Sequence, residues 1–194
     1  MIITGIQIIE TLLYAYLIIC VGYLALFAFA ALFAKKKKIP STDQYARFLL
    51  LIPSYKEDKV IINTAKAALA QDYPTDAYHV LVISDRMSDQ TNEALQTIGT
   101  EVLKIDFEES SKALALQTAI RHCHPEKQSN EETLSRYDYI VVLDADNIIA
   151  PEYLKQVNEY IQDSHCNVLQ THRTAKNLNT PTAILDAVIE EMNN

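Results

Sequence analysis

From Ile6 to Phe33 the chain has no lysine, arginine or aspartate, and Glu10 is its only charge. A helix of about 28 residues reaches roughly 40 Å, enough to cross a hydrocarbon core of about 30 Å with some tilt. The run therefore predicts a membrane-spanning helix. Leu12 to Phe33 shows no polar face, which argues against a helix lying along the membrane surface. A cleaved leader would begin with basic residues, whereas this run begins Met-Ile-Ile-Thr-Gly and ends in Lys35-Lys36-Lys37-Lys38. Lysines directly after a span mark its cytoplasmic flank. Residues 1–38 are thus expected to be a single-pass anchor in the lipid bilayer, residues 39–46 a linker, and residues 47–194 a cytoplasmic domain.

Residues 1–38 carry Glu10 against four lysines, so the net charge of −8 for the whole chain leaves −11 on the remainder. A nucleic-acid binder displays a basic face to the phosphates, and no such stripe is visible, so nucleic acid is excluded as a partner. Cys20, Cys123 and Cys166 have no pairing pattern, as expected of reduced cytosolic thiols.

After the linker, apolar runs of strand length alternate with stretches of helical period, the pattern of parallel βαβ units. The first strand reads Phe48 to Ile52, continuously apolar and stopping at Pro53. A helix over about Val60 to Ala70 follows. Val80 to Ile83 is the second strand, running into Ser84-Asp85-Arg86-Met87-Ser88-Asp89, whose Ser and Asp residues can cap the next helix. Glu101 to Ile105 is a weaker third strand. Ser111 to His122 is helical, with Ala113, Leu116, Ala119 and Ile120 as its buried stripe. A polar segment, His124 to Arg136, precedes Tyr139 to Leu143, expected to be a buried strand that delivers Asp144 at its carboxyl end, where ligands of open α/β sheets bind. Pro151 suits the first turn of a helix to about Gln162. Asn167 to Gln170 reads as a last short strand, and Ala183 to Met192 as helix.

Asp144-Ala145-Asp146 places two carboxylates at the mouth of a strand, a costly arrangement unless a positive group compensates it. Mg2+ or Mn2+ would do so, since both take oxygen ligands from one or two carboxylates together with substrate phosphates. The other strand ends offer matching groups. Pro53-Ser54-Tyr55-Lys56-Glu57 follows the first strand and Asp85 the second. A carboxylate at Asp85 can accept the ring N–H of a uracil-like base, and Glu57 can contact the ribose or base. Lys112 can neutralise a phosphate. A solvated charge cluster, an ordinary turn and a surface lysine explain each of these singly, but less well all together.

In that order the motifs resemble those of membrane-bound family 2 glycosyltransferases, related to cellulose synthase, hyaluronan synthase and ceramide glucosyltransferase. Pro53-Ser54-Tyr55-Lys56-Glu57 is similar to the family's Pro-x-x-Asn-Glu, and Asp85 to Thr91 to its Asp-x-x-Ser-Asp-x-Thr. Lys112 to Gln117 resembles Lys-x-x-Ala-Leu-Asn, and Val142 to Asn147 the metal-binding segment; the likeness runs from about Phe48 to Asn177. Lys56 stands where the family has Asn, Arg86 where Asp or Asn is common, and Gln117 where it has Asn.

The resemblance implies an α/β GT-A fold, Rossmann-like with a mostly parallel sheet and flanking helices, preceded by one transmembrane helix. It implies a nucleotide-diphosphate sugar, UDP-sugar by preference, held by Pro53, Tyr55, Glu57, Asp85, Lys112, Asp144, Ala145 and Asp146. Asp146 would be the direct metal ligand, and Asp144 a further ligand or a contact to the sugar or ribose. The sugar would pass with inversion to a saccharide or lipid acceptor.

The family's catalytic base lies in a Thr/Ser-Glu-Asp motif further on, absent up to Asn194, so residues 47–194 read as a domain without its acceptor half. Asp186, Glu190 and Glu191 fit a solvated helix face better than a base. A non-catalytic nucleotide-sugar-binding or scaffold membrane protein is the alternative. His122-Cys123-His124 with His165-Cys166 fits no zinc spacing, and His172 and Arg173 are expected at the rim of the donor pocket. An Asp-x-Asp phosphatase would carry its motif on the first strand. With only Gly5, Gly22 and Gly99, no glycine-rich phosphate loop can be built.

Overall fold

The computed structural model describes residues 2–33, 39–123, 136–174 and 179–193. The chain divides into two compact units, Met1–Lys38 and Ile39–Asn194. In the first, helix α1 (Ile2–Ala31) is apolar all round. Its segment Ile6–Ala30, of mean hydropathy 2.3, is long and apolar enough to cross a membrane. Side chains from Ile6 to Ala30 are exposed apart from half-buried Cys20, unlike a soluble core helix, which buries its apolar face.

The second unit runs β1 (Phe48–Tyr55), α2 (Ile61–Leu69), β2 (Tyr78–Asp85), α3 (Asp89–Thr97), β3 (Glu101–Ile105), α4 (Lys112–Cys123), β4 (Tyr139–Val142), α5 (Tyr153–Ser164) and α6 (Pro181–Asn193). The sheet has the order β3-β2-β1-β4, and every pairing is parallel. Strands β2 and β3 step outward from β1 on one side, and β4 returns to its other side. The reversal opens a crevice beyond the carboxyl ends of β1 and β4.

Alternation along β1 explains its unbroken apolar run. Phe48, Leu50 and Ile52 pack with Ile61, Ala65 and Ala68 of α2, Leu95 of α3 and Leu154, Val157 and Ile161 of α5. Leu49 and Leu51 turn to the opposite face, against Ala115 and Ala119 of α4. Both faces of the strand are covered, so neither can be polar. Two polar ties close the ends of this core. Asp138 accepts from the Arg47 backbone N–H at 2.7 Å and its guanidinium at 3.1 Å, joining the starts of β1 and β4. The buried Asn158 amide donates to the Gln44 carbonyl at 2.7 Å and accepts from the Ala46 N–H at 3.0 Å, pinning the chain before β1 to α5.

Several expectations are corrected. The first strand does not stop at Pro53 but continues to Tyr55, with Pro53 opposite Ile83 of β2. The Leu51 carbonyl points to the β4 side, where Leu143 donates to it. By alternation Pro53 faces that same side, beyond the end of β4, so its missing N–H removes no bond of the β1–β2 ladder. The fourth strand ends at Val142 and is not buried: among the described residues it lies at the sheet edge, with Ile140 and Val142 each 46% exposed. Residues 167–170 form no strand, and Val168 is open to solvent.

The buried stripe of α4 is Ala115 and Ala119 with Leu116 partly buried, whereas Ala113 and Ile120 are exposed. The helix turns Ala115 and Ala119 onto Leu49, Leu51, Leu81 and Ile83 of the sheet. Pro151 lies in a turn ahead of α5, where its carbonyl accepts from the Asp72 N–H at 2.8 Å. Residues 124–135 of the polar segment, His124 among them, lie outside the described residues, as do the side chains of Asp186, Glu190 and Glu191.

Replacing Asn158 by leucine leaves the Ala46 N–H and the Gln44 carbonyl without their partner. A loss of about 1–3 kcal/mol is expected, read as a lower midpoint of urea denaturation.

Candidate donor-binding site

Pro53, Tyr55, Glu57, Asp85, Lys112, Asp144, Ala145 and Asp146 all line one cavity of about 470 Å³ beyond the carboxyl ends of β1, β2 and β4. Ser54, Arg86, Glu108, Ser110, Ser111 and Ala115 complete its wall. A larger groove of about 990 Å³ runs along the free edge of β4, past His172 and Arg173, and shares Lys112, Asp144 and Asp146 with the first.

Asp85 ends β2 and is only 4% exposed, yet its Oδ1 has no hydrogen-bond partner among the described residues. A buried carboxylate oxygen left unpaired is costly, and a ligand N–H arriving through the cavity would relieve that cost. Ser110, on the β3–α4 connection, has a similarly unpartnered hydroxyl and faces the same space. Sequence reasoning missed Ser110, because a serine in a polar turn carries no periodic signal.

Asp144 follows β4 with both oxygens engaged. Lys112, the first residue of α4, pairs with Oδ1, and Arg173 Nη1 lies 3.8 Å from Oδ2. Asn147 Nδ2 approaches Oδ2 at 3.4 Å. Asp146 is exposed and carries no ion pair among the described residues. Between them the buried Ala145 presents its carbonyl to the Thr64 hydroxyl at 2.6 Å, so α2 fixes the backbone that separates the two carboxylates. Gln71 donates to the Ala150 carbonyl at 3.0 Å and accepts from the Leu154 N–H at 3.1 Å, holding the descent into α5. No group of three or more His, Cys, Asp or Glu side chains gathers among the described residues. A cation at Asp144 and Asp146 would therefore complete its shell with water and ligand oxygens, the habit of Mg2+ and Mn2+.

The loops at the ends of β1 and β2 are locked together by Asp58. Its Oδ1 accepts from the Ser88 N–H at 2.9 Å, the Ser88 hydroxyl at 2.7 Å and the Thr91 hydroxyl at 2.6 Å. Ser88 in turn caps α3 through the Thr91 N–H at 3.2 Å. The Thr91 bond, followed by the two Ser88 bonds, holds the Asp58 carboxyl down at about 2. In the sequence Asp58 is one charge in Lys56-Glu57-Asp58-Lys59 and carries no signal that marks it out.

Lys56 and Arg86, directly after β1 and β2, both adopt left-handed backbone with φ 54°. Asn and Asp tolerate this conformation better than other non-glycine residues, and the family motif has Asn at the first position and commonly Asp or Asn at the second. Each departure here is thus a backbone cost. Lys56 N–H donates to the Asp85 carbonyl at 3.1 Å, and Arg86 reaches Asp106 at 3.0 Å and the Phe107 carbonyl, tying β2 to the connection after β3. The Lys56 ammonium at the Tyr55 hydroxyl, helped by Arg86 against an opposing push from burial, holds that phenol below its ordinary value. His122 bonds Glu101 at 3.0 Å, and His165 is the left-handed cap of α5.

A family model described as glycosyltransferase like family 2 matches residues 46–193. The poly-β-1,6-N-acetyl-D-glucosamine synthase of Staphylococcus aureus is 29% identical over 125 residues, which are 61% of this chain and 27% of that protein. The S. aureus poly(ribitol-phosphate) β-N-acetylglucosaminyltransferase TarS is 21% identical over 127 residues, 63% of this chain and 20% of that protein. The chain thus spans about a fifth to a quarter of the curated relatives it matches. Among solved structures, the mannosyltransferase PcManGT of Pyrobaculum calidifontis, in complex with GDP-Man and Mn2+, aligns with a TM-score of 0.57 at 23% identity, over 76% of this chain and 42% of that one. TarS in complex with UDP-GlcNAc aligns at 0.50 and 22% identity, over 70% of this chain and 37% of that one. At these identities the structural likeness establishes the GT-A fold.

Because its folded pKa is depressed, Asp58 contributes stability that is complete above the unfolded value near 3.8 and is lost as pH falls through about 2. Comparing denaturation midpoints of the parent and Asp58→Ala across pH 5 to 2, the gap between them should close towards the acid end. A gap independent of pH would contradict the assignment.

Proposed function

The chain belongs to the glycosyltransferase-like family 2, and on that premise we propose that residues 47–194 bind a nucleotide-diphosphate sugar, UDP-sugar by preference, for transfer to a saccharide or lipid acceptor with inversion. The observation that carries this reading is the cavity itself. It brings an unsatisfied buried carboxylate oxygen at Asp85 together with the cation of Lys112 and the carboxylate pair Asp144 and Asp146. Asp85 accepts the ring N–H of the base, Glu57 contacts the ribose or base, and Pro53 and Tyr55 form the wall beside it. Lys112 balances the diphosphate, and Asp146 with Asp144 would hold Mg2+ or Mn2+.

When bound, the metal stabilises charge on the departing diphosphate. Thr64, through the Ala145 carbonyl, holds the backbone between the two carboxylates. The base that takes the acceptor proton is proposed to lie outside the residues of this cavity. The UDP-GlcNAc bound by TarS and the GDP-Man and Mn2+ bound by PcManGT support a nucleotide sugar and a divalent metal as the ligand classes. Helix α1 is proposed to cross the bilayer with Lys35 to Lys38 on its cytoplasmic side, which leaves the donor cavity facing the cytosol.

Calorimetric titration with UDP and Mn2+ is expected to give metal-dependent binding that Asp146→Ala abolishes; unchanged affinity in that variant would remove the metal assignment. Asp85→Ala is expected to bind UDP and other nucleoside diphosphates alike, and retained selectivity would place the base elsewhere.

A further inference from the structure

The two carboxylates of the Asp144-Ala145-Asp146 segment are treated differently by the rest of the molecule. Asp144 meets Lys112 on one oxygen and Arg173 at 3.8 Å from the other, while Asp146, on the same wall, meets no cation among the described residues. Lys112 and Arg173 come from unconnected parts of the chain, the start of α4 and the segment after α5. A divalent ion taking an oxygen of Asp144 must displace one of them or sit against two positive groups.

Charge balance decides which combination is favourable. Around Asp144-Ala145-Asp146 four charged side chains meet, and Asp144 and Asp146 against Lys112 and Arg173 sum to zero, with Glu57, Asp85, Arg86 and Glu108 elsewhere on the wall. A divalent cation alone leaves this group of four two charges positive, and the two phosphate anions of a nucleotide sugar alone leave it two charges negative. Both together restore neutrality. The side chains of Lys112, Asp144 and Arg173 are 54%, 41% and 52% exposed, so water screens the pairs and each contributes little net energy. Exchange needs no movement of the strands, since the two long side chains already stand beside the cavity that Asp144 lines.

We propose that Lys112 and Arg173 occupy Asp144 as stand-ins for the metal and turn to the diphosphate oxygens when metal and nucleotide bind, so that each ligand tightens the other. The proposal rests on the donor-site reading above and adds a role for Arg173 as a residue that couples the two ligands. Linkage requires the coupling to be reciprocal: UDP must raise Mn2+ affinity by the same factor as Mn2+ raises UDP affinity.

The test uses the full chain in detergent micelles, with free Mn2+ followed by electron paramagnetic resonance and UDP by calorimetry. Arg173→Gln is expected to bind Mn2+ alone several-fold more tightly than the parent, because a competing cation is gone. It is expected to bind UDP at saturating Mn2+ roughly tenfold more weakly, because a phosphate partner is gone. Arg173→Lys retains the charge and should keep most of the coupling. A merely structural role for Arg173 would weaken both ligands together, and that result overturns the proposal, as does Mn2+ affinity unchanged in Arg173→Gln. If the parent chain binds neither UDP nor Mn2+, the donor-site reading fails as well; if it binds both with a coupling factor that Arg173→Gln leaves intact, only the exchange is wrong.

Discussion

Strand β1 is paired along both edges and covered on both faces, and the position of every group in the cavity is set by reference to its carboxyl end. Burial of Phe48 to Ile52 makes the strand immovable in practice, because shifting it by one residue would exchange the apolar sets packed on its two faces. The parallel ladders then bring Tyr55 opposite Asp85 of β2 and place the exit of β4 alongside. Helices α2 and α5, which follow β1 and β4, pack on one face of the sheet and α4 on the other. The cavity lies over the strand ends, between the exits of β1, β2 and β4 and the start of α4.

Polar contacts turn that space into a defined site. Thr64 holds the Ala145 carbonyl, Asp58 gathers Ser88 and Thr91, and Arg86 ties the end of β2 to residues 106 and 107. Each contact joins a strand-end loop to a helix or loop distant in sequence, and each uses a short side chain or a charge-assisted bond whose geometry is restrictive. Against this rigid frame Lys112 and Arg173 are long, half-exposed side chains. Under the proposed function, the fixed carboxylates and the adjustable cations would divide the work of holding a ligand that is itself a charged pair of metal and phosphate.

The left-handed residues Lys56 and Arg86 show how a family pattern can carry a backbone requirement as well as a chemical one. The chain must turn sharply after β1 and β2 for Tyr55 and Asp85 to face the cavity. Asn or Asp would make the turn at lower cost. Here a lysine and an arginine make it, and their side chains recover part of that cost by reaching Tyr55 and the β3–α4 connection.

Much was legible from one dimension. The apolar run in α1, the strand cores, their alternation with helices and the polar residues just beyond each strand are local patterns, written in consecutive residues. They were enough to anticipate the α/β class; the GT-A fold came from the resemblance of the motifs to family 2 glycosyltransferases, and the eight residues that resemblance marked line one cavity. What the tertiary structure decided depends on partners far apart in the chain. Whether β4 is central or at an edge follows from which side of β1 it joins, and Pro53 is tolerated within a strand only because that side is unpaired past Leu51. The meeting of Arg173 with Asp144, the three bonds of Asp58 and the unsatisfied oxygen of Asp85 are likewise set by the crossing of separate loops. Periodicity reports which face of an element is apolar, but contact between elements is fixed only when the sheet order and the helix rotations are, and those are settled by packing the whole domain at once.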